Sequence, residues 1–173
     1  TRVVEGHDFD EALLDIIQGR RWALVTSQGW ITRGAVDKLI SRCRKPDFKF
    51  RDCEENPTIQ TVINVSAALN DVDVYVALGG GSVIDALKGA AVLCALDNDV
   101  DIFLGHLKEG KELPDKLPSL PIIAIPTTAG TGSEVTPWGT IWGDSGIKHS
   151  VNHASIYPSY AILDPALATT MPS

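Results

Sequence analysis

The stretch "DVYVALGGGSVIDALKGAAVLCAL", residues 73 to 96, limits the fold more than any other part of the chain. Val74 to Leu78 is a short, unbroken apolar run, which suits a strand buried on both faces. Three consecutive glycines follow, and then an alanine-rich apolar segment from Val83 to Leu96 that reads as a helix. A strand apolar on both sides must be covered on both sides, so the segment predicts a parallel sheet with helices packed on each face.

The same alternation recurs along the chain. "WALVT", residues 22 to 26, reads as a buried strand, and Val36, Leu39, Ile40 and Cys43 then fall at helical spacing. "FKFRD" is a short strand. "ENPT" is a turn in which Pro57 suits a first helical turn, or Thr58 caps a helix opening at Ile59 with Val62, Ile63 and Ala67 on its buried face. "LPIIAIPTT" is a further buried strand, ended by Pro126, and residues 137 to 143 and 160 to 163 read as shorter strands. Residues 97 to 119 are polar and interrupted by proline, the pattern of a surface excursion. The predicted class is α/β: a doubly wound, mostly parallel, Rossmann-like sheet with helices on both faces.

Composition bounds the function. With 173 residues the chain is of single-domain size, and 44% hydrophobic with 21% charged residues is a globular balance. No stretch approaches the roughly 18 uninterrupted apolar residues of a membrane span, and no secretory or lipidation signal is evident. A cytoplasmic protein is expected, one that acts on neither membranes nor nucleic acid, because the net charge is −7 and no basic stripe interrupts it. Cys43, Cys53 and Cys94 form no CxxC pair and are expected as reduced thiols. The chain begins at Thr1 and stops after "MPS", as a cut piece of a longer protein does.

A strand ending at Leu78, then Gly79, Gly80 and Gly81, then a helix near Ser82 is the layout of an anion site. The first N–H groups of a helix are unpaired and partially positive, and glycine lets a phosphate approach them without a Cβ in the way. The turn also falls at the carboxyl end of a strand, where open α/β sheets bind ligands. Neither GxGxxG nor GxxxxGK[ST] is matched. The plain structural alternative is a tight turn with Ser82 as N-cap and Asp85 as the acidic partner of a capping box.

A second cluster, "PTTAGTGSEVT", gathers Thr127, Thr128, Thr131, Ser133 and Thr136 around Gly130 and Gly132 after another buried strand. Such hydroxyls suit phosphate or ribose contacts, or an ordinary hydrogen-bonded loop. Ser133 lies in no GxSxG elbow, which argues against a serine hydrolase. His149 and His153 are spaced as two metal ligands on one helix face would be, but the segment has weak helical character and no neighbouring carboxylate, so packing or exposed histidines are expected. Trp138 and Trp142 flank a short strand and are expected to pack.

Taken together, "ENPT", "GGGSVIDALKGAA", "PTTAGTGSEVT", "GIKHSV" and "AILDPALATTMP" resemble the iron-containing alcohol dehydrogenases in order and spacing over essentially the whole chain. The resemblance implies a two-domain, metal-dependent NAD(P) oxidoreductase acting on a small primary alcohol or aldehyde, in which residues 1 to 173 supply the cofactor-binding domain. Residues 164 to 173 would begin the connector to a C-terminal helical domain, where the family binds Fe(II) or zinc; no metal ligand or catalytic residue is expected in this sequence. A homodimer is implied as well. By the same resemblance Gly80, Gly81 and Ser82 would hold the pyrophosphate, with Gly79 a further cofactor-binding residue of the turn; Asn56 would lie near the phosphate-ribose region and Asp85 near the cofactor cleft, Thr127, Thr128 and Thr131 would line the adenine-to-pyrophosphate path, and Lys148 would reach the nicotinamide ribose. Where many members of the family have an aspartate at the end of the first strand, this chain has Ser27. A neutral hydroxyl does not repel a 2′-phosphate, so NADP joins NAD as an expected cofactor.

The resemblance leaves neighbouring chemistries in view. A polyol dehydrogenase or a dehydroquinate synthase-like lyase would share the fold, and a non-catalytic nucleotide-binding module would share the glycine turn.

Overall fold

A computed structural model describes residues 1–6, 8–69, 71–143 and 146–169. In chain order the elements are β1 (Arg2–Glu5), α1 (Phe9–Ile17), β2 (Trp22–Thr26), α2 (Gln28–Thr32), α3 (Ala35–Arg42), β3 (Phe48–Phe50), α4 (Ile59–Ala67), β4 (Val74–Gly79), α5 (Gly81–Ala95), α6 (Val100–Glu109), β5 (Ile122–Pro126), β6 (Trp138–Trp142), β7 (Lys148–Asn152), β8 (Tyr160–Leu163) and α7 (Pro165–Ala168).

Six strands form one sheet in the order β1-β8-β5-β4-β2-β3, and every neighbouring pair is parallel. The predicted class therefore holds. Residues of β2, β4 and β5 are buried on both faces, which is why these strands read as continuous apolar runs rather than alternating ones. One face of the sheet presents Ala23, Val25, Tyr75, Ala77, Ile122 and Ala124 to α4, α5 and α6. The other presents Trp22, Leu24, Val76, Leu78, Ile123 and Ile125 to α1, α2 and α3.

The winding changes direction between β2 and β4. The chain leaves β2 for β3 at the sheet's edge, then returns through α4 to place β4 on the other side of β2, and proceeds outward to β5 and β8. That reversal opens a crevice outside the carboxyl ends of β2 and β4, the position at which doubly wound sheets receive ligands.

Several local expectations are met. Thr58 is the N-cap of α4, and its side chain and that of Thr61 satisfy each other's backbone N–H groups in a capping box. Others are corrected. Residues 97 to 119 are not all surface excursion, because they contain α6: Asp99 Oδ1 accepts from the Ile102 N–H at 3.0 Å, and Gly110, left-handed at φ 69°, ends the helix. Its apolar stripe, with Phe103 and Leu107 buried, is narrow and sits among charged neighbours. "KHSVN" is the strand β7, paired antiparallel with β6 in a separate hairpin. The opening segment, which gives no clear periodic signal, carries the edge strand β1 and the helix α1, whose Asp10 pairs with Arg42 of α3 at 2.8 Å. Of the expected connector, residues 170 to 173 lie outside the described residues; Asp164 caps the short α7, its Oδ1 accepting from the Ala166 N–H.

Candidate functional site

Helix α5 opens two residues earlier than the sequence suggests, with Gly80 as N-cap and Gly81 as first residue, and no side chain caps it. The capping box of Ser82 and Asp85 is therefore not formed. Ser82 Oγ instead accepts from the Asn56 N–H at 3.3 Å, and Asp85 Oδ2 accepts from the Thr140 N–H at 3.0 Å. With no capping side chain, the N–H groups of Gly81 and Ser82 point out of the first turn without a carbonyl of their own helix to reach.

The three glycines serve close approach, not unusual backbone angles, since none of them has positive φ. A Cβ on Gly79 would lie 2.5 Å from Val83 Cγ2, so this glycine lets the first turn of α5 fold down onto β4. A Cβ on Gly80 would meet Thr128 Oγ1 at 3.2 Å, and one on Gly81 would meet Thr131 Cγ2 at 2.8 Å. The turn and the threonine loop are in contact.

That loop follows β5. The Thr127 N–H donates to Gly79 O at 3.1 Å, which stitches the loop's start to the end of β4. Gly130 at φ 110° and Gly132 at φ 66° then turn the chain into a 3-10 turn over Ser133–Val135. From beneath, Lys88 of α5 holds the loop in place: its buried ammonium donates to Ser133 O at 2.5 Å, Thr136 O at 2.6 Å and Trp138 O at 2.7 Å. Burial draws the Lys88 ammonium down to about 8, against the pull of Asp85 and Glu134. Burial likewise raises Asp85 above the ordinary aspartate range, partly offset by the Thr140 N–H, the Ser133 hydroxyl and the charge of Lys88. One oxygen of Asp85, Oδ1, is buried and has no hydrogen-bond partner.

Two clefts meet at this helix start. The larger, of about 540 Å³, runs from Ser27, Trp30 and Arg33 past Cys53 and Glu54 to Gly80, Gly81 and Ser82, with Thr127, Thr128 and Thr131 opposite. The smaller, of about 250 Å³, is lined by Asn56, Asp85, Ser133, Thr140, Trp142 and Lys148, and shares Gly81, Ser82 and Thr131 with the first. The hairpin closes its far side, where the Trp142 N–H donates to Pro57 O at 2.8 Å and Lys148 Nζ lies 4.8 Å from the centre of the Trp142 ring.

Ten of the eleven sequence-predicted site residues thus line one cleft or both. Gly79 lines neither; it is a packing glycine. Trp138 is 52% exposed, whereas Trp142 forms part of the smaller cleft's wall. His149 and His153 are held by structural hydrogen bonds, Nδ1 of His149 to Leu107 O and Nε2 of His153 to Pro114 O. Among the described residues no group of three or more His, Cys, Asp or Glu is placed to hold a metal ion. All three cysteines are unpaired, and burial pushes the Cys53 thiol up to about 12, so it lines the cleft as an inert group. Sequence reasoning missed Trp30, Arg33 and Lys88. Only Lys88 had a linear signal, a charge in the otherwise apolar run "ALKGAAVL".

The sequence profile of the family described as "Iron-containing alcohol dehydrogenase" matches residues 1–165. The chain is 35% identical over 164 residues to the NADH-dependent butanol dehydrogenase B of Clostridium acetobutylicum, a match covering 90% of this chain and 40% of that protein. It is 41% identical over 154 residues to the phosphonoacetaldehyde reductase of Streptomyces viridochromogenes, covering 85% of this chain and 38% of that one. The crystal structure of a sulfoacetaldehyde reductase from Bifidobacterium kashiwanohense in complex with NAD+ superimposes with a TM-score of 0.89 at 31% identity, covering 99% of this chain and 46% of the other. The chain therefore spans less than half the length of these relatives. It belongs to the iron-containing alcohol dehydrogenase family.

Proposed function

We propose that this chain is the nicotinamide-dinucleotide-binding half of an enzyme that transfers a hydride between a small primary alcohol or aldehyde and NAD(P). The observation that carries the reading is the junction of two clefts at one uncapped helix start, shared by Gly81, Ser82 and Thr131. A dinucleotide has that shape: two nucleoside arms joined by an anionic pyrophosphate. The Gly81 and Ser82 N–H groups would face the pyrophosphate oxygens, and Thr128 and Thr131 would add hydroxyl donors from the opposite wall. Ser27 would border the adenosine arm, while Asn56, Asp85 and Lys148 would border the nicotinamide arm.

The bound cofactor supplies the ring carbon that accepts or returns the hydride. This chain's part is to fix that ring: the hairpin carrying Trp142 closes the smaller cleft, and Asp85, held by the Thr140 N–H, fixes a polar edge within it. Iron, or zinc in its place, belongs to this reading through the family resemblance. The described residues do not form a site for either, so no step through a metal is assigned to them. Small alcohols and aldehydes as substrates agree with the names of the relatives, which include a butanol dehydrogenase and two reductases of substituted acetaldehydes. A homodimer follows the resemblance, and a cytoplasmic location follows the composition; no helix among the described residues is long and apolar enough to cross a membrane.

Calorimetric titration of the chain with NADH and with NADPH tests the reading. Saturable binding of either, lost in Gly81→Val, is the expected result. A chain that folds and binds neither overturns it.

A further inference from the structure

We infer that Arg33 is the residue that reads a 2′-phosphate, and that it makes this chain prefer NADPH to NADH. The inference rests on the dinucleotide reading of the two clefts. Arg33 was not marked by any sequence motif; it lies in the larger cleft beside Ser27 and Trp30. Its guanidinium sits 5.1 Å from the centre of the Trp30 ring, and Trp30 is only 8% exposed, so the cation rests on a fixed indole face. No side-chain hydrogen bond or ion pair of Arg33 is formed with any described residue, although an arginine offers five N–H donors. A planar, unengaged cation held against the wall of a cleft is arranged for an external anion.

The position of that cation settles which anion. Parallel strands β2 and β4 are neighbours, and the glycine turn follows β4. In doubly wound sheets the residue after the strand beside the phosphate turn meets the adenosine ribose, where a carboxylate selects the free 2′-hydroxyl and an arginine accommodates a 2′-phosphate. Here that residue is Ser27, the N-cap of α2, whose side chain makes no cap hydrogen bond. The point where a Gly29 Cβ would stand is 2.6 Å from Arg33 Nη1 and 3.9 Å from Ser27 Oγ, so the guanidinium lies over Gly29 on the side of the Ser27 hydroxyl, at the cleft's adenosine end. A phosphate there would take N–H donors from Arg33 and the hydroxyl of Ser27.

Two carboxylates share the cleft. Glu54 is turned toward α4, its Oε1 accepting from the hydroxyls of Thr58 and Thr61 at 3.4 and 2.7 Å. Glu55 is exposed and pairs with no described cation. Neither engages Arg33, and the serine at the ribose position leaves no carboxylate to repel the phosphate.

The test compares ligands that differ only by the 2′-phosphate: NADPH against NADH, and adenosine 2′,5′-bisphosphate against 5′-AMP, titrated into the wild-type chain, Arg33→Ala and Ser27→Asp. The wild-type chain should bind the 2′-phosphorylated member of each pair at least about tenfold more tightly, as one charge-assisted contact of this kind provides. Arg33→Ala should bring both ratios near unity, and the advantage of NADPH in the wild type should shrink with added salt. Ser27→Asp should invert the preference, and it is a substitution α2 accommodates, because aspartate is a favourable N-cap. Equal affinity for both members of each pair, unchanged in Arg33→Ala, would overturn the inference while leaving the dinucleotide reading intact. Absence of binding by any of the four ligands, with the thermal transition unchanged, would overturn both.

Discussion

Adjacent glycines in one turn have separate tasks. Gly79 faces Val83 within the fold and Gly81 faces Thr131 across the cleft, so their substitutions should fail differently. Gly79→Ala should cost about 2 kcal/mol of stability in urea denaturation through overpacking, and Val83→Ala in the same chain should restore part of it. Gly81→Ala should leave the unfolding midpoint nearly unchanged, since alanine favours a helix, yet weaken dinucleotide binding at least about tenfold by displacing Thr131 and covering the first-turn amides. Lys88 gives a second prediction at this scale. Lys88→Met leaves the carbonyls of Ser133, Thr136 and Trp138 without their donor, and should cost about 3 kcal/mol or more. The lysine titrates near 8 in the fold and at the ordinary 10.5 when unfolded. Between those values the unfolded chain holds more proton, so this group makes the fold more stable as pH rises through that window. Comparing stability from pH 7.5 to 10.5 in wild type and Lys88→Met should show that positive contribution in the wild type alone.

At the scale of elements, the site depends on how α4 and α5 begin. Helix α5 starts without a side-chain cap, and its first two residues, Gly81 and Ser82, line both clefts. Helix α4 starts with a reciprocal Thr58 and Thr61 capping box, which also orients Glu54. Thr58→Ala should therefore destabilise the chain by about 1 kcal/mol, measured by chemical denaturation. One helix start is finished by the chain's own side chains; the other has no side-chain cap. The hairpin of β6 and β7 belongs to the site in the same sense, because the Thr140 and Trp142 amides tie it to Asp85 and Pro57.

Across the whole molecule, burial grades from the middle of the sheet to its edges. Strands β2 and β4 are buried throughout, whereas β1 and β3 have mostly exposed residues and each pairs on one side only. Amide hydrogen exchange should be slowest in β2, β4 and β5 and in the body of α5, and fastest among the strands in β1 and β3. Comparable rates in β1 and β4 would contradict this gradient. The crevice lies above the most deeply buried strands, at the reversal of winding, so both clefts are built on the centre of the sheet.

The α/β class, the central strands and the clustering of ten of the eleven candidate residues around two adjoining clefts were legible in the linear sequence, because each rests on a local cause. Apolar runs such as "VYVAL" declare burial on both faces, Thr58 declares a helix start, and the glycine and threonine clusters stand where strands end. Helix α6 was hidden by its charged neighbours, and β1 gains its place from pairing with β8, more than 150 residues away in sequence. The true cap of α5, the packing role of Gly79 and the three carbonyl bonds of Lys88 likewise depend on what the folded chain sets opposite them. Arg33 shows the difference most plainly. Its charge is written in the sequence, but only the parallel pairing of β2 with β4 and the seat of Trp30 bring that charge to the mouth of the glycine turn, because proximity across a sheet is decided by strand order and not by distance along the chain.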